Sequence, residues 1–199
     1  RNIYVYNNVI EGLGYLDNDY SYGILFVQDK SNNNTIVNNI NIFHNTIVSG
    51  ISPAESYIGI QGPAEGTITN IAIKNNIIKG FSSRPIYFSA SGYSGTIDVC
   101  NVDNDLYYNC GTNAVAYSGV TVTNDTQNNI VVQDPGFMSL TDLHLNGSTP
   151  PVGGGVAIPG FDTDYDDKLW KNPPSIGAYE YDAPSIIIQN SIIHKWHTP

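Results

Sequence analysis

One short phrase recurs along this chain and restricts its fold more than any other feature. It runs apolar-x-apolar, then an Asn-rich corner, an apolar pair and Gly. It reads Ile3-Tyr4-Val5-Tyr6-Asn7-Asn8-Val9-Ile10-Glu11-Gly12, and again Ile40-Asn41-Ile42-Phe43-His44-Asn45-Thr46-Ile47-Val48-Ser49-Gly50. A third copy is Ile71-Ala72-Ile73-Lys74-Asn75-Asn76-Ile77-Ile78-Lys79-Gly80, and a looser one runs from Ile97 to Gly111. Copies starting at Ile3, Ile40, Ile71 and Ile97 are spaced by 37, 31 and 26 residues. A unit of this size cannot bury its apolar face alone and folds by stacking on its neighbours. A constant core with insertions of varying length predicts a parallel β solenoid, whose loops lengthen without disturbing the stacked strands.

The alternation in Ile3-Tyr4-Val5 and Ile71-Ala72-Ile73 sends one side chain inward and the next outward. A second short strand follows the corner. A third is read at Ile24-Leu25-Phe26, Ile58-Gly59-Ile60, Ile86-Tyr87-Phe88 and Val115-Ala116-Tyr117. Three strands per coil imply a roughly triangular cross-section. Helical periodicity is almost absent, so the chain is expected to be all-β. The sharp corner needs residues that tolerate left-handed backbone, and Asn does so best after Gly. Stacking then places Asn8, Asn45 and Asn76 over one another, with amides bonding along the axis. Asn7, His44 and Asn75 form the neighbouring stack, so His44 is read as a corner residue rather than a catalyst or ligand.

Charge narrows the function. Lys and Arg number 8 against 18 Asp and Glu, a formal net charge of −10. Phosphate backbones and anionic membranes would be repelled. No apolar run reaches the ~20 residues of a spanning helix. The charged fraction of 13% is about half the usual ~25%, leaving a surface of neutral polar groups and aromatics. Cys100 and Cys110 are read as ordinary thiols, the alternative being a bridge, which needs Cα atoms within ~7 Å; their spacing does not suggest zinc. The 199 residues suit one domain. With Arg1 opening directly onto strand-like sequence, the chain is expected to be a processed product or a piece of a longer one.

The corner repeat N-x-I-x-[IV]-x-[NH]-N, spanning about residues 2–120, resembles that of pectin-lyase-like parallel β-helix proteins. Asp134-Pro135-Gly136-Phe137, Asp142-Leu143-His144-Leu145 and Ser175-Ile176-Gly177-Ala178-Tyr179-Glu180-Tyr181 resemble the closing module of secreted bacterial and phage members. The resemblance implies a right-handed parallel β-helix, a single-stranded solenoid with a C-terminal cap. Coils would occupy 1–133, the closing coil and cap 134–182, and a tail 183–199 would dock along the helix or meet another subunit. Two departures stand out. Ser148 to Gly155 replaces the usual S-P-A-I-D-x-G, and Asp164 to Lys171 lacks the usual Gly and Arg. The cap loop is therefore expected to be rebuilt.

The resemblance also implies polysaccharide binding along an outer sheet face, with a Lys or Arg base and carboxylate-bound Ca²⁺ in lyases and clustered carboxylates in hydrolases. On the first sheet, Lys74 and Asp98 are placed on adjacent coils, either as a base with its supporting carboxylate or as a surface ion pair worth ~0–1 kcal/mol. On the third, Tyr87 projects between Gly59 and Ala116 beside Arg84, either a shelf for a sugar ring or one exposed aromatic among 14 Tyr. Tyr57 and Tyr93, with Tyr15, Tyr20 and Tyr22, lie in loops suited to recognition. Asp98, Asp103 and Asp105 form the densest acidic group in the repeats, either paired carboxylates for acid–base work on a glycosidic bond or, the reading favoured for Asp103 and Asp105, replacements for corner Asn. Asp162, Asp164 and Asp166 are candidate calcium ligands, though an EF-type Gly and distal Glu are missing. The leading expectation is recognition of a polysaccharide or cell-surface glycan by part of a larger surface protein. Such a protein would be a phage tail spike or fibre or a secreted bacterial protein, extracellular or on the virion surface, and a homotrimer if it is a spike. Nucleic acid and membrane insertion are not expected. The rivals are a polysaccharide lyase or depolymerase and a structural spacer or adhesin stalk.

Overall fold

The computed structural model describes residues 2–13, 23–27, 38–49, 58–61, 67–81, 83–89, 95–112 and 115–183. Its strands form three parallel sheets. The first contains β1 (Ile3–Tyr6), β4 (Asn38–Phe43), β7 (Thr67–Lys74), β10 (Gly95–Asp103) and β13 (Val120–Asn128). The second contains β2 (Val9–Leu13), β5 (Thr46–Ser49), β8 (Ile77–Lys79) and β11 (Leu106–Tyr108). The third contains β3 (Ile24–Val27), β6 (Ile58–Gln61), β9 (Ile86–Ser89) and β12 (Ala116–Ser118). Each strand pairs with the one three positions on in the chain, so successive coils stack as a parallel β solenoid with three strands per coil.

The register follows the corner. Ile3, Ile40, Ile71 and Cys100 lie in one row, each four residues before the left-handed corner residue Asn7 (φ 51°), His44 (φ 51°), Asn75 (φ 57°) or Asn104 (φ 54°). The sequence expectation put Ile97 in that row. Ile97 instead pairs with Ile68, because β7 and β10 begin further upstream and carry an additional inward residue before the shared row.

The second corner residues form the expected amide ladder. Asn8 donates to Asn45 at 2.8 Å, Asn45 to Asn76 at 2.9 Å, and Asn76 to Asp105 at 2.8 Å. Each Asn also ties its corner to backbone: Asn76 Nδ2 donates to the carbonyls of Ile42 and Lys74, both at 3.0 Å. The buried ladder amides of Asn45 and Asn76 are thereby satisfied.

Inside, Ile40, Ile42, Ile71, Ile73, Ile58, Ile60, Ile86 and Phe88 meet Ile47, Ile78 and Tyr107 in one core. The apolar pair after each corner is now explained. Its second member faces this core, while its first faces outward along a row of Val9, Thr46, Ile77 and Leu106. That outward row is covered by the C-terminal segment, through Phe137, Leu145, Val152 and Ile176 on Ile77 and Leu106, and Leu143, Ala178 and Tyr179 on Val9 and Val48. Residues 134–183 therefore run along the flank of the coils. Ser175 to Tyr181 contains no strand. Its bonds to the coils include Gly177 N–H to Asn75 O at 2.8 Å and Ala178 N–H to Thr46 Oγ1 at 2.9 Å.

At the last described coil Val115, Val120, Val122 and Ile130 still pack on the core, but three inward positions turn polar. Tyr117 pairs with Phe88, Asp125 with Cys100 and Gln127 with Val102. The Tyr117 hydroxyl donates to Asp125 at 2.5 Å, and Gln127 donates to both. These polar side chains end the apolar core where water begins, as terminal repeats of solenoids must. Cys100 and Cys110 are free thiols. Burial, then Asp125, pushes Cys100 up to about 12, so it is inert at neutral pH.

Candidate functional site

The outer face of the first sheet carries a groove lined by the side-chain amides of Asn2, Asn39, Asn41, Asn70 and Asn101, with Tyr4, Ile71 and Ala72 among them. Its first row comes from strand alternation: Tyr4, Asn41, Ala72 and Asn101 lie side by side on consecutive coils. Its second row comes from a backbone irregularity. Asn39 (φ 59°) and Asn70 (φ 55°) adopt left-handed conformation just before the inward Ile40 and Ile71, where the ladder register skips a residue. Their amides stack outside the coil, Asn70 donating to Asn39 at 3.0 Å and Asn39 to Asn2 at 2.7 Å. Asn41 Nδ2 is held by the carbonyls of Asn39 at 3.0 Å and Ile3 at 3.3 Å. The groove measures about 330 Å³. Among the described residues, Asn101 Oδ1 in its wall has no hydrogen-bond partner.

An aromatic wall closes one side. Phe161, brought there by the flanking segment, lies 5.6 Å from Tyr4, 4.6 Å from Tyr6 and 5.6 Å from Phe43. Tyr4 keeps 47% of its surface exposed. The segment is held in place by corner residues. Asn7 donates to Thr163 O at 2.6 Å, Asn104 to Gly154 O at 2.8 Å, and Asn75 exchanges two bonds with Val156 at 2.7 and 2.9 Å.

His44 belongs to this anchoring. Its Nδ1–H faces Gly177 O at 3.3 Å, its Nε2 accepts from Asn75 at 2.9 Å, and its ring stacks on Trp170 at 4.0 Å. Burial pushes it down to about 4, outweighing the carbonyls of Gly177 and Ser175. It is neutral with both nitrogens engaged, which matches its reading as a corner residue. A second histidine was missed by sequence reasoning. His144 lies between Asp142 (Nδ1, 2.5 Å) and Asp166 (Nε2, 2.9 Å), its ring 4.0 Å from Tyr179. Partial burial opposes its charge, but the hydrogen bonds to Asp166 and then Asp142 outweigh this and raise its pKa. In return those bonds hold both carboxyls below their ordinary range. With both ring nitrogens paired, His144 joins two stretches of the flanking segment as a clamp; it is poorly placed to act as a base.

The residues singled out from sequence are distributed as follows. Lys74 lies in register with Asp103, not Asp98, and Asp98 pairs with Thr69. The expected adjacency of Lys74 and Asp98 followed from the misplaced Ile97 row. Asp98 accepts from Thr123 at 2.6 Å and Asn124 at 2.7 Å. Asp105 stands in the ladder as a corner replacement, whereas Asp103 precedes the corner and accepts from Asn129 at 2.9 Å. Tyr87 does lie between Gly59 and Ala116, and Arg84 is beside it, with its guanidinium 3.8 Å from the ring centroid. One ring face is thus covered by Arg84. Tyr57 and Tyr93, like the tail from 184, lie outside the described residues. Asp162, Asp164 and Asp166 do not converge. Asp164 is buried and accepts backbone N–H groups of Asp166, Lys168 and Glu180 at 2.8–2.9 Å, while Asp166 turns to His144. Among the described residues, no three His, Cys, Asp or Glu side chains converge on a metal-sized site.

The amide groove itself escaped sequence reasoning, although Asn39-Ile40 and Asn70-Ile71 carried the signal: an Asn directly before the first inward Ile. Comparison with known proteins finds no matching family model, no matching curated protein and no matching solved structure.

Proposed function

We propose that this chain recognises a polysaccharide low in acidic sugars along the outer face of its first sheet. The observation that carries the reading is the amide groove. A primary amide offers two donors and an acceptor, which complements a sugar hydroxyl that donates and accepts at once. These groups are shared out up the stack: Asn41 offers its Oδ1 acceptor, its Nδ2 being held by the carbonyls of Asn39 and Ile3, Asn70 offers an acceptor and its second N–H, and Tyr4 with Phe161 adds the aromatic surface on which apolar sugar faces pack. The groove is open and runs across coils, which suits a chain better than a single small molecule. The net charge of −10 opposes polyuronates. The solenoid is taken as a right-handed helix of the pectin-lyase-like kind, since parallel crossovers are right-handed almost without exception. Its setting in a larger surface protein, such as a phage spike or secreted bacterial protein, rests on the resemblance of the 134–181 motifs.

Titration calorimetry with neutral, amino and acidic oligosaccharides tests the proposal. Tyr4→Ala and Asn41→Ala should each weaken binding about tenfold, equivalent to ~1.4 kcal/mol, with the melting temperature unchanged. Unaltered affinity in both variants would overturn the groove as the site, and loss in Tyr87→Ala alone would move it to the third sheet. Release of reducing ends from any of these substrates would make the protein a depolymerase rather than a binding module.

A further inference from the structure

Phe161 also lines a larger cavity of about 510 Å³ between the coils and the flanking segment. Its walls are apolar and aromatic: Ile158, Pro159, Phe161, Leu169 and Trp170. Leu169 is 75% exposed at its rim. A cavity of this size with few polar groups is the usual form of a small-ligand site. The polar groups divide into two sets. His44 is neutral, with both nitrogens bonded to Gly177 and Asn75. Lys171 donates from Nζ to the Tyr181 carbonyl and lies 3.9 Å from Glu180. His44 carries no charge, and the Lys171 ammonium is shared with the Glu180 carboxylate.

The second set is unengaged. The Asp162 main chain accepts from Trp170 N–H at 3.0 Å, but its carboxylate makes no hydrogen bond or ion pair among the described residues. The Asn172 amide is likewise without a partner among them. The Trp170 indole N–H is buried with no acceptor among them. The cavity thus presents one uncompensated negative charge next to two aromatic rings, in a molecule of net charge −10. That combination selects a cation carried on a partly apolar body: the carboxylate supplies a charge-assisted hydrogen bond and the ring faces attract the ammonium.

We propose that this cavity is a subsite for a sugar ring bearing a free amino group, with the ammonium on the Asp162 carboxylate and the ring packed among Phe161, Leu169 and Trp170. The assignment rests on the glycan reading above and sharpens it. Tyr4 lines the amide groove and Phe161 lines this cavity, their rings 5.6 Å apart, so an oligosaccharide in the groove reaches the cavity across this aromatic pair. Acetylation of the amine would remove the charge and leave Asp162 facing an amide.

The test is calorimetry of the whole chain with three tetrasaccharides of one linkage: glucosamine, N-acetylglucosamine and glucose, at a pH where the amine is protonated. The glucosamine form should bind at least about tenfold tighter than the acetylated one, a gap of ~1.4 kcal/mol, and added salt should shrink that gap. Asp162→Asn should abolish the preference while leaving the glucose oligomer's affinity intact. Asp162→Glu should retain it, and Leu169→Ala should weaken all three. Equal binding of the amino and acetylated forms, or a preference that survives Asp162→Asn, overturns the subsite and leaves the groove standing. Failure of all three to bind removes the glycan reading and the subsite with it.

Discussion

Asp105 ends the amide ladder, and the geometry of the coils above it indicates what its second oxygen meets. Its Oδ1 accepts from Asn76 N–H at 2.7 Å and from Asn76 Nδ2 at 2.8 Å. In Asn76 the other side-chain atom is an NH₂ that donates to two main-chain carbonyls. At Asp105 the repeat puts Oδ2 in that place, and Oδ2 is buried without a partner among the described residues. A carboxylate oxygen cannot donate to carbonyls, but a protonated carboxyl can. Burial, opposed by the Asn76 bonds and reinforced by Asp103, pushes Asp105 up from 3.8 to about 7, with Lys74 pulling the other way. The folded protein therefore binds one more proton than the unfolded chain between about pH 4 and 7. This contribution to stability is fully present below the unfolded pKa and lost as pH rises through 7. Asp105→Asn should restore the donor, raise stability at pH 8 by ~2–4 kcal/mol, and flatten that part of the pH profile. Urea midpoints at pH 5 and 8 provide the check. A variant with the same pH slope as the parent would show that Asp105 is not the group responsible.

Between strands and the flanking segment, the closest fit is at Gly177. Its φ is +96°, and a Cβ there would lie 2.6 Å from Ile77 Cδ1 and 2.9 Å from Thr46 Oγ1. Gly177→Ala must move the segment away from Asn75 and Thr46, so a cost of about 2–5 kcal/mol is expected from strain and overpacking together. Thermal unfolding measures it, and a loss under ~1 kcal/mol would mean that the docking is looser than these contacts imply. The sequence disclosed the two halves of this fit unequally. The outward apolar member of each pair, Ile77 and Leu106, announced a covered face, because a sheet open to water would alternate polar there. What covers it was not readable. Gly177 meets Asn75 across about a hundred residues, and nothing local in Ser175 to Tyr181 separates a sealing strand from an irregular strap. The same limit governed the site. Strand alternation gave Asn41 and Tyr4 as outward, and Tyr87 between Gly59 and Ala116. The left-handed turns at Asn39 and Asn70 broke the period-2 pattern, so their amides joined the groove unannounced. Counting the fourth repeat from its first Ile, rather than back from Asn104, displaced Asp98 onto the row beside Lys74.

Considered as a whole, the molecule is a stack in which a coil touches mainly its neighbours, so stability should be graded along the axis. Strands β7, β8 and β9 have partners on both sides, whereas β1 and β13 form the edges of the first sheet. Most of β13 is exposed, and only its Val120 and Val122 pack on the core, its later inward positions being the polar Asp125 and Gln127. The flanking segment modifies that gradient. It bonds to Asn7, Thr46, Asn75 and Asn104, one residue from each of four successive coils, and so acts as a strap that ties the stack lengthwise. Native-state hydrogen exchange should reveal both features. Protection is expected to be highest at β7 and β8 and to fall towards β1 and β13. The amides of Gly177 and Ala178, although outside any sheet, should exchange with the slow central group because their acceptors belong to central coils. Were those two amides to exchange as fast as β13, the strap would be opening independently of the coils. The Phe161 wall and the cavity beside it would then open with it, and ligand affinity should fall with temperature well before the coils unfold.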